Sequence, residues 1–117
     1  MNENLDFWQA LDRLAAEHEL VIDRPAGSAH PRYLDFVYPL DYGYLRGTAS
    51  ADGGGIDVWR GTEPGGAINA IVITVDLLKR DSEIKILMGC TEDEINIVHQ
   101  SHSSQYMKGI LGQEMPA

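Results

Sequence analysis

From Asn4 to about His18 the apolar residues Leu5, Trp8, Leu11 and Leu14 recur at three-residue steps, with Phe7 and Ala15 widening the stripe. That spacing predicts an amphipathic helix packed on the domain through one face. The run ELVID then reads as a short strand, stopped by Pro25, which has no backbone N–H to donate to a sheet. The following stretch, AGSAHPRYLDFVYPLDYGYLRGTASADGGG, is dense in glycine, proline and tyrosine and keeps no period. It reads as a functional loop system threaded by short strands.

Beyond Gly55 the texture changes to β-branched runs, IDVWR, AINAIVITVDLL and EIKILMGC, separated by the turn clusters TEPGG and KRDS. The second run is too continuously apolar for one wet face, so it is expected to be a central strand. In the third, Ile84, Ile86 and Met88 alternate with Glu83 and Lys85, which predicts an apolar face and an opposite polar face. Thr91-Glu92-Asp93-Glu94 is a capping box, and Ile95, Val98, His102 and Tyr106 line one side of the segment after it, predicting a helix from about Glu92 to Tyr106. The tail after Gly109, with Gly112 and Pro116, is expected to fray. There is no internal repeat and no linker.

At 117 residues the chain is one domain, 1–117, and 44% hydrophobic content is enough for a core. A formal charge of −9 with no long Lys/Arg run disfavours nucleic acid and anionic membranes as partners. A phosphorylated partner would need cations between itself and so acidic a protein. The opening MNENLDFWQ lacks the basic and apolar segments of a signal peptide, and no apolar run is long enough to span a membrane, so a cytoplasmic protein is expected. The single Cys90 follows an apolar run and is expected to be a small buried side chain.

Candidate chemistry centres on ADGGGIDVW, where Asp52 and Asp57 flank three glycines, and on Asp76 and Asp81 further on. Hard divalent ions take carboxylate oxygens from separate loops, and glycines let backbone close around them. On spacing alone, turn, N-cap or solvent-facing aspartates are the commoner reading. Arg32, Arg46, Lys79, Arg80 and Lys85 are the candidates for holding phosphate, with a merely solvated Lys85 the alternative. His99 and His102 share a helix face but no HExxH pattern accompanies them, so they read as surface or half-buried side chains. His30 before Pro31 indicates extended loop. Tyr33, Tyr38, Tyr42 and Tyr44 supply either core area or a site.

Taken together, VIDRPAGSAHPRY, YPLDYGYLRGTASADGGGIDVW and VDLLKRDSEIK, across residues 20–87, resemble the soluble magnesium-dependent inorganic pyrophosphatases. The resemblance implies a mainly β (α+β) fold, a small antiparallel OB-like β-barrel flanked by an N-terminal and a C-terminal helix. It also implies metal ligation of Mg²⁺ or Mn²⁺ by Asp52, Asp57 and Asp76, and catalytic roles for Asp57, Asp81 and Tyr42. Substrate contacts would come from Arg32, Tyr42, Lys79 and Lys85, with Asp23 near the mouth. The sequence departs from the family where Gly54 and Gly55 replace the Asp-Pro of the metal loop and where Glu83 stands at the strand-lysine position, with Lys85 two residues on as its substitute. Leu34 replaces an acidic residue, and a stretch bearing an arginine is missing between Leu34 and Tyr38. Tyr106 and Lys108 look like a displaced version of the family's C-terminal Tyr-Lys pair. A positioned general base contributes about 10²- to 10⁴-fold in rate, so its loss is severe; Asp35 and Asp41 are the spare carboxylates. The implied function is Mg²⁺-dependent hydrolysis of pyrophosphate or a related phosphoanhydride by metal-activated water. The alternative is an inactive module that binds Mg²⁺ and a phosphate or nucleotide ligand. Either would be expected as a homo-oligomer, and a structural subunit assembling through the helices bearing Trp8 and Ile95 is the third reading.

Overall fold

The structure, a computed structural model, describes residues 4–115. Helix α1 (Phe7–Ala16) starts at Asp6, whose carboxylate accepts from Gln9 N–H while the Gln9 side chain accepts from Asp6 N–H, a reciprocal cap. Strands β1 (Leu20–Arg24), β2 (Asp41–Leu45), β3 (Ile56–Arg60), β4 (Ile68–Asp76) and β5 (Asp81–Met88) precede helix α2 (Glu92–Ser101) and strand β6 (Met107–Gly112). The strands form one sheet in the order β1-β2-β3-β5-β4-β6. Every neighbouring pair is antiparallel except β3 with β5.

The sheet is not closed, which corrects the expected barrel: β1 pairs only with β2 and β6 only with β4. Side chains rather than strand pairing seal the concave face. Tyr38 and Leu40 from the loop and Ile95 and Val98 from α2 pack on Trp59, Ala70, Val72 and Leu87. On the other face Leu11 and Ala15 of α1 meet Leu45, Val58 and Ile86, as the helix stripe requires. The long loop before β2 holds a short hairpin, joined by an Ala29–Val37 bridge with His30 N–H donating to the Phe36 carbonyl.

Three further expectations need correction. Helix α2 keeps its capping box but ends at Ser101, so Tyr106 is not helical. His102 leaves the helix because its ring is taken up by Trp59, and the serines beyond it form a turn closed by Ser104 N–H on the Met107 carbonyl. Of the tail after Gly109 expected to fray, Ile110, Leu111 and Gly112 belong to strand β6, paired from Asp76↔Met107 to Ile71↔Gly112; Pro116 lies outside the described residues. The apolar run of β4 needs a neighbour on both sides, and Gly109 allows the close approach, since a Cβ there would lie 3.0 Å from Val72 Cγ2. The faces of β5 are also not apolar-out-of-water and polar-in-water: Glu83 and Lys85 are buried, whereas Ile84 is 40% exposed. Cys90 is buried, as expected. Among the described residues no helix is long and apolar enough to cross a membrane.

Because β6 completes the hydrogen bonding of β4, a chain ending at Tyr106 should lose cooperative thermal unfolding. A truncated protein that melts as the full chain does would show that β6 is dispensable.

Candidate functional site

The concave face is built by alternation. Tyr42 and Tyr44 stand opposite Trp59 and Asp57 in the β2–β3 register, and Glu83, Lys85 and Leu87 share that face from β5. Lys85 Nζ lies at the centre, donating to Asp57 Oδ2 at 2.7 Å, to the Tyr42 hydroxyl at 2.9 Å and to Glu83 Oε2 at 3.3 Å. Burial by itself would pull this ammonium toward the neutral amine, but the electrostatic pull of the Tyr42 oxygen and the Asp57 carboxylate, reinforced by their hydrogen bonds, more than reverses that and holds it above the ordinary lysine range. Burial likewise raises the Tyr42 phenol, so at neutral pH it is an uncharged hydroxyl. Glu83 is raised by burial despite Lys85, and its second oxygen, Oε1, has no hydrogen-bond partner among the described residues.

Above this cluster lies a cleft of two halves. One, about 440 Å³, carries Asp23, Asp52 and Asp57 along its wall; the other, about 800 Å³, carries Tyr33, Phe36 and Trp59. Arg24, His30, Tyr38, Tyr42, Lys79 and Lys85 belong to both and form the junction. His30 Nδ1 accepts the backbone N–H groups of Arg32 at 3.0 Å and Tyr33 at 3.1 Å. The neutral ring therefore carries its proton on Nε2, a donor with no protein acceptor among the described residues. Partial burial, then the charges of Arg24, Arg32 and Lys79, lower its pKa; Arg24 and Lys79 share the junction with it and Arg32 lines the larger half. Among the described residues Arg32 and Lys79 form no ion pair, and Arg24 reaches only its chain neighbour Asp23 at 3.9 Å.

The sequence-derived residues are thus only partly gathered. Asp52, Asp57, Tyr42, Lys79 and Lys85 line one half, and Asp76, Arg32, Tyr42, Lys79 and Lys85 the other. Asp81 lines neither, standing opposite Asp76 at the end of the β4–β5 ladder. Asp52 Oδ1 accepts from Gly54 N–H at 2.9 Å and from the Ser50 hydroxyl at 2.8 Å, contacts that hold the glycine loop and lower its pKa. Asp76 Oδ1 accepts from the N–H groups of Leu78 and Lys79 and shapes the turn. Among the described residues no three carboxylate, histidine or cysteine side chains converge to hold a metal ion. Asp52, Asp57 and Asp76 as arranged do not fit one shared cation. Asp41 is committed to Arg60 and to Ala26 N–H, both at 2.9 Å.

Arg24, the role of His30, and Glu83 as a buried carboxyl were not anticipated. Arg24 follows a register shift in β1, which turns it toward the cleft in a way no alternation shows. His99 and His102 serve the fold: His99 Nε2–H donates to the Gly109 carbonyl at 2.8 Å, and Trp59 Nε1–H donates to His102 Nε2 at 3.0 Å.

The fold that these elements define is pyrophosphatase-like. It matches the crystal structure of an inorganic phosphatase from Anaplasma phagocytophilum with a TM-score of 0.54 over 80% of this chain and 81% of that one, at 16% identity. At that identity the likeness extends to the fold alone. No family model matches the sequence, and no curated protein matches it.

Breaking a buried ion pair from one side costs about 3–5 kcal/mol. Lys85→Met should destabilise the protein by an amount of that order in urea titrations, and Lys85→Met/Glu83→Gln should recover part of it; no recovery would show that Glu83 is not coupled to Lys85. His102 offers a pH test. Burial, then the Lys85 charge, lowers its pKa from 6.5 to about 4. The unfolded chain therefore takes up this proton first, so the contribution of His102 is full above pH 6.5 and is lost as pH falls toward 4, about 3 kcal/mol in all. His102→Gln, which keeps an acceptor for Trp59, should flatten the stability–pH curve over that window by about one proton. Coincident curves would contradict a neutral buried imidazole.

Proposed function

We propose that the protein is a receptor for a phosphoanhydride of the pyrophosphate class. One observation carries this: in a chain of net charge −9, Arg24 and Lys79 line the cleft junction and Arg32 the larger half beside it, the charges of all three reach His30, and neither Arg32 nor Lys79 forms an ion pair among the described residues, although Asp52 feels the charge of Lys79. Holding like charges together is unfavourable unless an anion completes the site. Pyrophosphate has the oxygens and the charge to do so, with the guanidinium groups binding in pairs of hydrogen bonds and His30 Nε2–H as a neutral donor. Lys85 lies beneath, its charge shared between Asp57 and Glu83, so it supports the floor more than it meets the ligand. The pyrophosphatase-like fold is consistent with a phosphate-type ligand.

A second reading, hydrolysis dependent on Mg²⁺ or Mn²⁺, is favoured by Asp52 and Asp57 lying in the same cleft as the cations and by the inorganic phosphatase that shares the fold. It would use Asp52, Asp57 and Asp76 as ligands with Asp81 and Tyr42 assisting. These groups would have to draw together first, because they do not share one position as they stand.

Calorimetric titration of the full chain with pyrophosphate, with and without Mg²⁺, tests the receptor. A hydrogen bond to a charged group contributes about 1.5–3 kcal/mol, so Arg32→Ala and Lys79→Ala should each weaken binding by about tenfold or more. Absence of binding to the wild type would refute the proposal. Phosphate release measured in parallel should stay at background; release with Mg²⁺ that disappears in Asp57→Asn would establish the second reading in its place.

A further inference from the structure

We infer that the ligand is a phosphoanhydride bearing an aromatic base, a nucleoside 5′-diphosphate rather than free pyrophosphate. This rests on the receptor reading and names its ligand class. The junction cations sit between two unlike spaces. The smaller half carries three carboxylates, Asp23, Asp52 and Asp57, against one, Asp76, in the larger, so an anhydride held at the junction is repelled more strongly from the smaller half. The larger half, about 800 Å³, opens on the other side of the same cations and offers rings. Pyrophosphate has no apolar surface to place there.

The rings form a continuous series. Tyr33 lies 5.0 Å from His30 between centroids, His30 stacks on Tyr38 at 6.1 Å, and Tyr38 and Tyr42 lead on to Trp59. Two members are unspent. Tyr33 is 63% exposed although it lines the cleft, leaving a ring face for a base to cover. Tyr38 is only 6% exposed, yet its hydroxyl has no protein hydrogen-bond partner among the described residues, and its side chain borders both halves. The hydroxyl itself opens on the cleft, where water meets it in the free protein and a ribose or base edge in the larger half can replace that water. Tyr33 also follows Arg32 in sequence, and the N–H groups of both are fixed by the same His30 nitrogen. The hairpin thereby holds a phosphate-binding cation and a stacking ring in one rigid unit. A nucleoside diphosphate presents its anhydride and its base in the same order.

Titration of the full-length protein with pyrophosphate and with ADP, GDP, CDP and UDP tests this. At least one nucleotide should bind about tenfold more tightly than pyrophosphate. Tyr33→Ala, at an exposed position that folding tolerates, should remove that advantage and leave pyrophosphate affinity within about twofold, since stacking of one base accounts for a change of that order. If pyrophosphate binds and no nucleotide binds more tightly, the base site is refuted and the receptor reading stands. Equal weakening of all ligands by Tyr33→Ala would refute the base site in the same way. If nothing binds, both fall together.

Discussion

Taking an ammonium out of water costs several kcal/mol unless its protons find acceptors in good geometry, and Lys85 Nζ finds them on three strands' worth of side chains. Tyr42 comes from β2, Asp57 from β3 and Glu83 from β5 itself, at 2.9, 2.7 and 3.3 Å. The parallel junction between β3 and β5 is the one non-antiparallel pairing in the sheet and spans only Val58↔Ile86 to Arg60↔Met88. The Lys85–Asp57 pair extends that short junction beyond its backbone register. It also keeps an acidic concave face from flying apart: without the ammonium, Asp57 and the Glu83 carboxyl would face each other under the cleft. The cleft floor is therefore rigid and nearly neutral, and the free positive charge sits on the walls above it.

That division sets how the protein meets an anion. The −9 molecule as a whole repels phosphate at long range, while Arg24, Arg32 and Lys79 attract it within roughly a Debye length, about 8 Å in physiological salt. On the receptor reading proposed above, capture would be a short-range event, with selectivity set by what lies next to the cations. Asp23, Asp52 and Asp57 line one direction out of the junction, and Asp76 with Tyr33, Phe36 and Trp59 the other, so the two are chemically unequal.

Much of the fold was legible because local signals agreed with tertiary need. The stripe Trp8–Leu14, the Thr91–Glu94 box and the β-branched runs each specify an element that the fold contains, although Leu5 precedes α1 and both Leu5 and Phe7 stay exposed. The failures have the opposite character. In EIKILMGC alternation correctly indicates a strand but assigns water to the polar side, which is buried as Ile86 on the other side is, because a charged side chain goes inward when partners from other strands are waiting for it, and those partners are 28 and 43 residues away in sequence. The segment Met107–Gly112 has two glycines and a weak pattern; only the open edge of β4 makes it a strand. Closure of a sheet is likewise a property of the whole, and here the loop and α2 cover the face that a closed barrel would enclose. At the site, Tyr42, Lys79, Lys85, Asp52 and Asp57 were readable from motif order, whereas Arg24 and His30 acquire meaning only from a register shift and a tautomer.

Trp59 ends the aromatic series at the cleft and is 1% exposed, with its indole N–H on His102 and its ring 4.6 Å from Tyr42. The chain's second indole, Trp8, is on α1, across the sheet. The molecule thus carries an optical probe in its own core, one that senses the imidazole behind it and the ligand space in front of it. Changes in emission wavelength and lifetime at Trp59 would register events in the cleft without any label being attached.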